Sequence, residues 1–130
     1  YARDDDECVV LGLTVGSQHC NGRGFLHGGV LASLADNAMG LSVVHLVHVS
    51  DGSVRASGLT LNLSIDYVSV AQVGDWIEFR PRVHSVGRTI GVVDCMTVCV
   101  LAEGSERVVA RSNATFKIRR ASSSGVSQPT

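Results

Sequence analysis

At 130 residues the chain is the size of one domain with a core of its own. Apolar residues make up 45%, charged residues 18%, and the formal net charge is −1, so the basic footprint of a nucleic-acid binder is missing. The ten Arg and one Lys are scattered along the sequence rather than clustered.

Residues 1 to 7 carry the acidic run Asp4, Asp5, Asp6 and Glu7 and read as a flexible N-terminus. Cys8 to Val15 is β-rich and predicts the first strand. The segment from Gly16 to Gly24 is rich in turn formers and reads as a loop, with Asn21 inside it. From Gly28 to about Val47 the residues predict a helix apolar nearly all round, which is the pattern of a buried one. Its length would suit a membrane span, but Asp36, Asn37, His45 and His48 argue against that, and no membrane association is expected. His45 and His48 suit the negative pole of the helix dipole.

After a polar connection, Leu59 to Val70 alternates strictly. Leu59, Leu61, Leu63, Ile65 and Tyr67 oppose Thr60, Asn62, Ser64 and Asp66, which predicts one buried and one polar face. Trp76 to Val83 is the next strand, with Pro81 marking an edge or a bulge. Thr89 to Ala102 is apolar on both faces and therefore central. Arg107 to Ile118 closes the set, and residues 121–130 read as a disordered tail. Short hairpin loops force antiparallel neighbours. A single α+β domain is expected over residues 8–120, with one long helix packed on a curved antiparallel sheet of five or so strands. The cysteines (Cys8, Cys20, Cys95, Cys99) form no C-x-x-C pair and no zinc spacing. They read as buried thiols in a reducing cytoplasm; no secretory leader is read at the start, and no metal or redox cofactor is expected.

Chemistry concentrates around Asn21 to Gly40. Asp36 is an ionisable group inside the apolar helix, which is costly unless the carboxylate is paired or used. A structural carboxylate bonded to a backbone amide or an Arg and a working one are both open at this point. Asp36 shares a helix stripe with Gly29, Ser33 and Gly40, and that small, polar stripe is expected to face something other than the core. Gly28 and Gly29 stand where the helix begins, leaving unpaired N–H groups at the positive pole, a ready site for a phosphate or a developing oxyanion.

The run H-G-G-V-L-A-S-L-A-D-N-A, with Asn21 six residues before His27, resembles the signature of the PaaI-like acyl-CoA thioesterases of the hot-dog fold. The similarity continues through S-G-L-T-L-N-L-S-I-D-Y-V-S-V-A-Q-V-G-D and S-V-G-R-T-I-G-V-V-D, so it spans about residues 8 to 118. The resemblance implies that Gly28 N–H and the Asn21 side chain polarise a thioester carbonyl. It further implies that Asp36 is general base or nucleophile, and that the Thr60 hydroxyl helps place the water. His27 and Gly29 would shape the substrate loop, and Arg88 with Thr89 would lie near the CoA nucleotide, with Arg55, Arg80 and Arg82 as weaker candidates. CoA is then part of the substrate, and no separate cofactor is needed.

Helix geometry adds a constraint of its own. Gly28 and Asp36 are eight residues apart, so a rise of 1.5 Å per residue separates them by about 12 Å. One carbonyl cannot be held by the first and attacked through the second in the same chain. A site using both must be shared between two subunits of a two-fold dimer; the family resembled also pairs dimers into tetramers. Two other classes stand beside this reading, a hot-dog hydratase or dehydratase and a non-catalytic acyl-CoA binder. The first lacks its catalytic His motif here, and the joint presence of Asn21, Gly28 and Asp36 argues against the second.

Overall fold

A computed structural model describes residues 2–3, 8–52 and 54–122. Its elements are β1 (Ala2–Arg3), β2 (Val9–Thr14), a 3-10 turn (Ser17–His19), α1 (Gly28–Ser50), β3 (Val54–Tyr67), β4 (Trp76–Val86), β5 (Ile90–Val100) and β6 (Glu106–Ser122). All neighbouring strands are antiparallel, in the order β1-β2-β4-β5-β6-β3. One long helix lies on one face of this curled sheet, which is the hot-dog arrangement. The short β1 pairs Ala2 and Arg3 with Val10 and Val9, an addition to the strands expected. The rest of the acidic terminus and the tail beyond residue 122 lie outside the described residues.

The helix follows from an apolar run with a cap at each end. His27 caps the start. At the other end Asp51 N–H bonds to Val47 O, Ser50 Oγ donates to Leu46 O, and His48 Nε2 accepts the Ala56 N–H at 3.3 Å. Those bonds carry the helix past Val47 to Ser50 and tie its end to β3. Leu31, Ala35, Ala38, Met39, Ser42, Val43 and Val47 are buried against the sheet, where Ile77, Phe79, Val93, Cys95, Ala114 and Phe116 meet them. Leu41 and Val49 nevertheless stay 40% and 48% exposed. Composition made the helix read as buried on every side, but a two-layer fold covers only one.

Two glycines set how closely the layers approach. A Cβ on Gly40 would stand 3.1 Å from a Phe116 ring carbon, and one on Gly91 would stand 2.8 Å from Val43 Cγ1. Gly40 is therefore packed inside its own chain, while Gly29 and Ser33 are exposed. The stripe expected to face outward as a unit is split between the two directions.

The sheet departs from the sequence pattern at β3. Thr60 pairs with Phe116 and Asn62 with Thr115, so Leu61 is an extra residue, a β-bulge. Before it, Gly58 and Thr60 look toward the helix; after it, Leu63 and Ile65 do. The alternation expected to bury five large side chains on one face is thus broken, and Leu59 and Leu61 are 55% and 52% exposed. It also moves Thr60 from the polar face to the helix side. In β4, the pairing with β2 ends at Phe79, two residues before Pro81, and the register shift comes between Val83 and Ser85. Central β5 is as expected. Its Cys95 and Cys99 are buried free thiols, and burial pushes the Cys95 thiol up to about 12.

The tight Gly40–Phe116 approach makes a stability prediction. Gly40→Val should destabilise the fold by about 1–3 kcal/mol through overpacking, despite valine's better helix propensity. Urea unfolding checks it; an unchanged midpoint would mean that Phe116 moves aside freely.

Candidate active site

The segment before the helix is folded by its own side chains. Asn21 Oδ1 accepts the N–H groups of Arg23 (2.9 Å) and Phe25 (3.2 Å), and Gly24, at φ 81, lets the chain turn back. The amide nitrogen of Asn21 keeps both its hydrogens for another acceptor, having no partner among the described residues. The returning chain is fastened by Asn21 N–H to Phe25 O (2.8 Å), His27 N–H to His19 O (2.8 Å), Leu26 N–H to Ala71 O (2.8 Å), and a bridge between Phe25 and Gln72.

At the helix start the donors divide unequally. His27 Nδ1 accepts the Gly29 N–H at 3.2 Å, while Val30 and Leu31 donate to His27 O. An accepting Nδ1 means a neutral ring with its proton on Nε2. The Gly28 N–H donates to no atom among the described residues. Of the two glycine amides read from the sequence as anion donors, Gly29 is therefore occupied and Gly28 is open. His27 has a local task, since it satisfies the first turn.

One helix turn after another, eight residues on, Asp36 meets Thr60. Thr60 Oγ1 donates to Asp36 Oδ1 at 2.7 Å, and both residues are half-buried. No Arg or Lys pairs with Asp36 among the described residues. The β3 bulge is what brings the hydroxyl there. Gly28 and Asp36 lie on the same unbroken helix, so their separation of about 12 Å stands. A residue to which the sequence pattern gave only a place in the strand joins the Gly28 end: Tyr67 Oη donates to Gly28 O at 2.8 Å. Only its position as the last aromatic of a strand running antiparallel to the helix could have pointed to it.

Arg88 and Thr89 form the β4–β5 turn. Arg88 is exposed, and the turn is held by Arg120, which donates to the carbonyls of Gly87 (2.9 Å) and Arg88 (3.1 Å), and by Ile118 N–H to Thr89 O. Strand register brings Arg55, Lys117 and Arg119 to the same end of the sheet. None of these five cations makes an ion pair among the described residues. Arg80 is different: it is spent on Glu78 and Glu106 on the outer face, at 2.8 and 2.6 Å. The Trp76 indole N–H and then Arg80 hold the Glu78 carboxyl below its ordinary range. Arg80 is thus no free anion ligand.

Residues 23–100 match the thioesterase superfamily. Human acyl-coenzyme A thioesterase 13 is 33% identical over 82 residues, 63% of this chain, which spans only 54% of that relative's length. A hypothetical thioesterase protein from Streptococcus pneumoniae TIGR4, solved with coenzyme A, aligns at TM-score 0.73 and 29% identity over 88% of this chain and 80% of the other. Two structures under the same description carry a threonine and an aspartate, respectively, replaced by alanine. The E. coli PaaI protein from the phenylacetic acid degradation operon aligns at TM-score 0.68 and 26% identity, over 83% and 70% of the two chains.

The capping role of His27 is separable from proton chemistry. His27→Ala should lower stability by about 1 kcal/mol, and His27→Asn, which keeps a short acceptor at the cap, should recover most of it. Equal losses in the two urea curves would remove the cap as the reason for this histidine.

Proposed function

The chain belongs to the thioesterase superfamily, and on that premise we propose that it hydrolyses an acyl-CoA thioester to a free acid and CoA. The observation that carries the reading is Asp36, a carboxylate held by one hydroxyl, Thr60, and neutralised by no cation among the described residues. Asp36 takes a proton from water as the water attacks the carbonyl carbon. Alternatively its oxygen attacks first, and water opens the mixed anhydride. In either case the C–S bond breaks and the thiolate of CoA leaves, to be protonated from solvent. The open Gly28 N–H and the unpartnered Asn21 amide supply hydrogen bonds to the oxygen as it gains charge. No cofactor and no metal enters this scheme.

The two halves belong to different subunits in this proposal. β3 is an edge strand of the sheet and exposes Leu59 and Leu61 there. A second copy pairing with that edge about a two-fold axis midway between Thr60 and Tyr67 sets the Thr60 of each chain opposite the Tyr67 of the other. Both side chains look toward the helix layer, since one reaches Asp36 and the other Gly28. Directly opposed residues of an antiparallel pair share a face. The Asp36 of one chain then comes beside the Gly28 of its partner. Pairing of two such dimers into a tetramer is part of the same proposal, and exposed Ile90, Val92 and Met96 on the outer face support it.

The CoA phosphates fall to the basic end of the sheet, where Arg55, Arg88, Lys117, Arg119 and Arg120 have no competing carboxylate among the described residues. The free thiols Cys20, Cys95 and Cys99 fit a cytoplasmic enzyme. Against a hydratase, the His27 ring is engaged in capping the helix.

Thiol release from a panel of acyl-CoA esters tests the activity, and Asp36→Asn tests its centre. That variant should fold normally and lose about 10²-fold or more in kcat; a full kcat would remove Asp36 from the chemistry. The shared site is tested by mixing two inactive variants, Asp36→Asn and Gly28→Val. After co-refolding, about a quarter of all sites should hold an intact Gly28 and an intact Asp36, assuming random two-fold pairing. A mixture as inactive as its parents, with heterodimers demonstrated, would leave each site within one chain.

A further inference from the structure

The first turn of a helix is its least secured part, because its N–H groups have no partners one turn earlier. Such ends fray, and a donor on a fraying turn points in no fixed direction. The Gly28 N–H sits on such a turn, yet the turn is held from outside. Tyr67 Oη donates to Gly28 O at 2.8 Å. Its ring also lies against the glycine: a Cβ on residue 28 would be 3.3 Å from Oη, 3.4 Å from Cζ and 3.5 Å from Cε1. We infer that Tyr67 is a positioning residue, whose phenol ties the helix start to the end of β3 and fixes the direction of the Gly28 N–H.

The base of that tether is stiff. Tyr67 is paired with Ala110 as the last residue of β3. Just beyond it, Val68 and Ser69 donate to Val109 O at 2.9 and 3.1 Å. Arg107 then clamps the following segment, donating to Ser69 Oγ (2.8 Å) and Val70 O (2.7 Å). The next carbonyl, Ala71 O, takes the Leu26 N–H two residues before Gly28. The helix start is therefore held from both sides by one short stretch, by the Tyr67 phenol on the helix and by Ala71 on the entering loop. Tyr67 itself is 55% exposed, so it contributes little to the core. The same ring makes position 28 tight: even a Cβ there would press on the phenol oxygen at 3.3 Å.

The effect on rate rests on the thioesterase reading above, whereas the tether does not. Tyr67→Phe keeps the ring and removes the bond. It should lower kcat about five- to tenfold, with KM within about twofold, as expected for losing one hydrogen bond that orients a donor. The pH profile of kcat should keep its shape. Val30 and Leu31, whose amides bond to His27 O, should exchange their amide hydrogens faster by a similar factor in the variant. An unchanged kcat would overturn the inference, and a changed pH profile would replace positioning by direct proton transfer. If the wild-type protein hydrolyses no thioester on the panel, the thioesterase reading fails. Amide exchange then decides the tether alone, and unchanged exchange in Tyr67→Phe overturns it.

Discussion

The single extra residue in β3 is the constraint on which the rest depends. A strand alternates its side chains with period two, so a residue facing the helix at position 60 would send every even-numbered neighbour the same way. That register would bury Asn62, Ser64 and Asp66 and turn Leu63 and Ile65 out to water. Leu61 resolves the conflict by standing outside the pairing, so that Thr60 reaches Asp36 while Leu63 and Ile65 join the core. Its cost is borne at the sheet edge, where Leu59 and Leu61 stay exposed. An edge strand is where such a cost suits function, because an edge can be covered by a second copy.

The helix adds the complementary constraint of distance. Its rigidity keeps the open amide and the carboxylate about 12 Å apart, and no side chain in between can shorten that. Within one chain the two groups are simply two well-made fragments. One has a cap and a tether that direct a donor, and the other has a hydroxyl that orients an acid. Polar groups half-buried in this way tend to keep a single partner and a fixed aim. In the proposed dimer the free edge of β3 is the element that would connect the fragments, by the hydrogen bonding common to every β-sheet.

Much of this architecture is legible in the residues. Glycine-marked turns and an unbroken apolar run place the helix and the hairpin strands, and Asn21, Gly28 and Asp36 stand out by type and spacing. The rest depends on partners distant in sequence. The unbroken alternation from Leu59 to Tyr67 conceals the bulge, because nothing in the pattern says that Leu61 is the residue to be skipped. Gly29 reads as a free donor until the His27 ring is seen to take its amide. Arginines that look scattered are sorted only by register: Arg80 is consumed by two glutamates, and Arg55, Arg88, Arg119 and Arg120 gather with Lys117 at one end.

The order of strands also bears on how the chain reaches this state. β4, β5 and β6 are successive hairpins and can zip together from local contacts. β3 must wait, since Val54 pairs with Ser122 and Tyr67 with Ala110. During synthesis it therefore emerges long before its neighbour exists, with both edges open and its leucines unprotected. Thr60 and Tyr67 ride on that late strand, one bound for Asp36 and the other for Gly28. Docking of β3 is thus the step at which the sheet is completed and the one at which both fragments of the proposed site would acquire their aim.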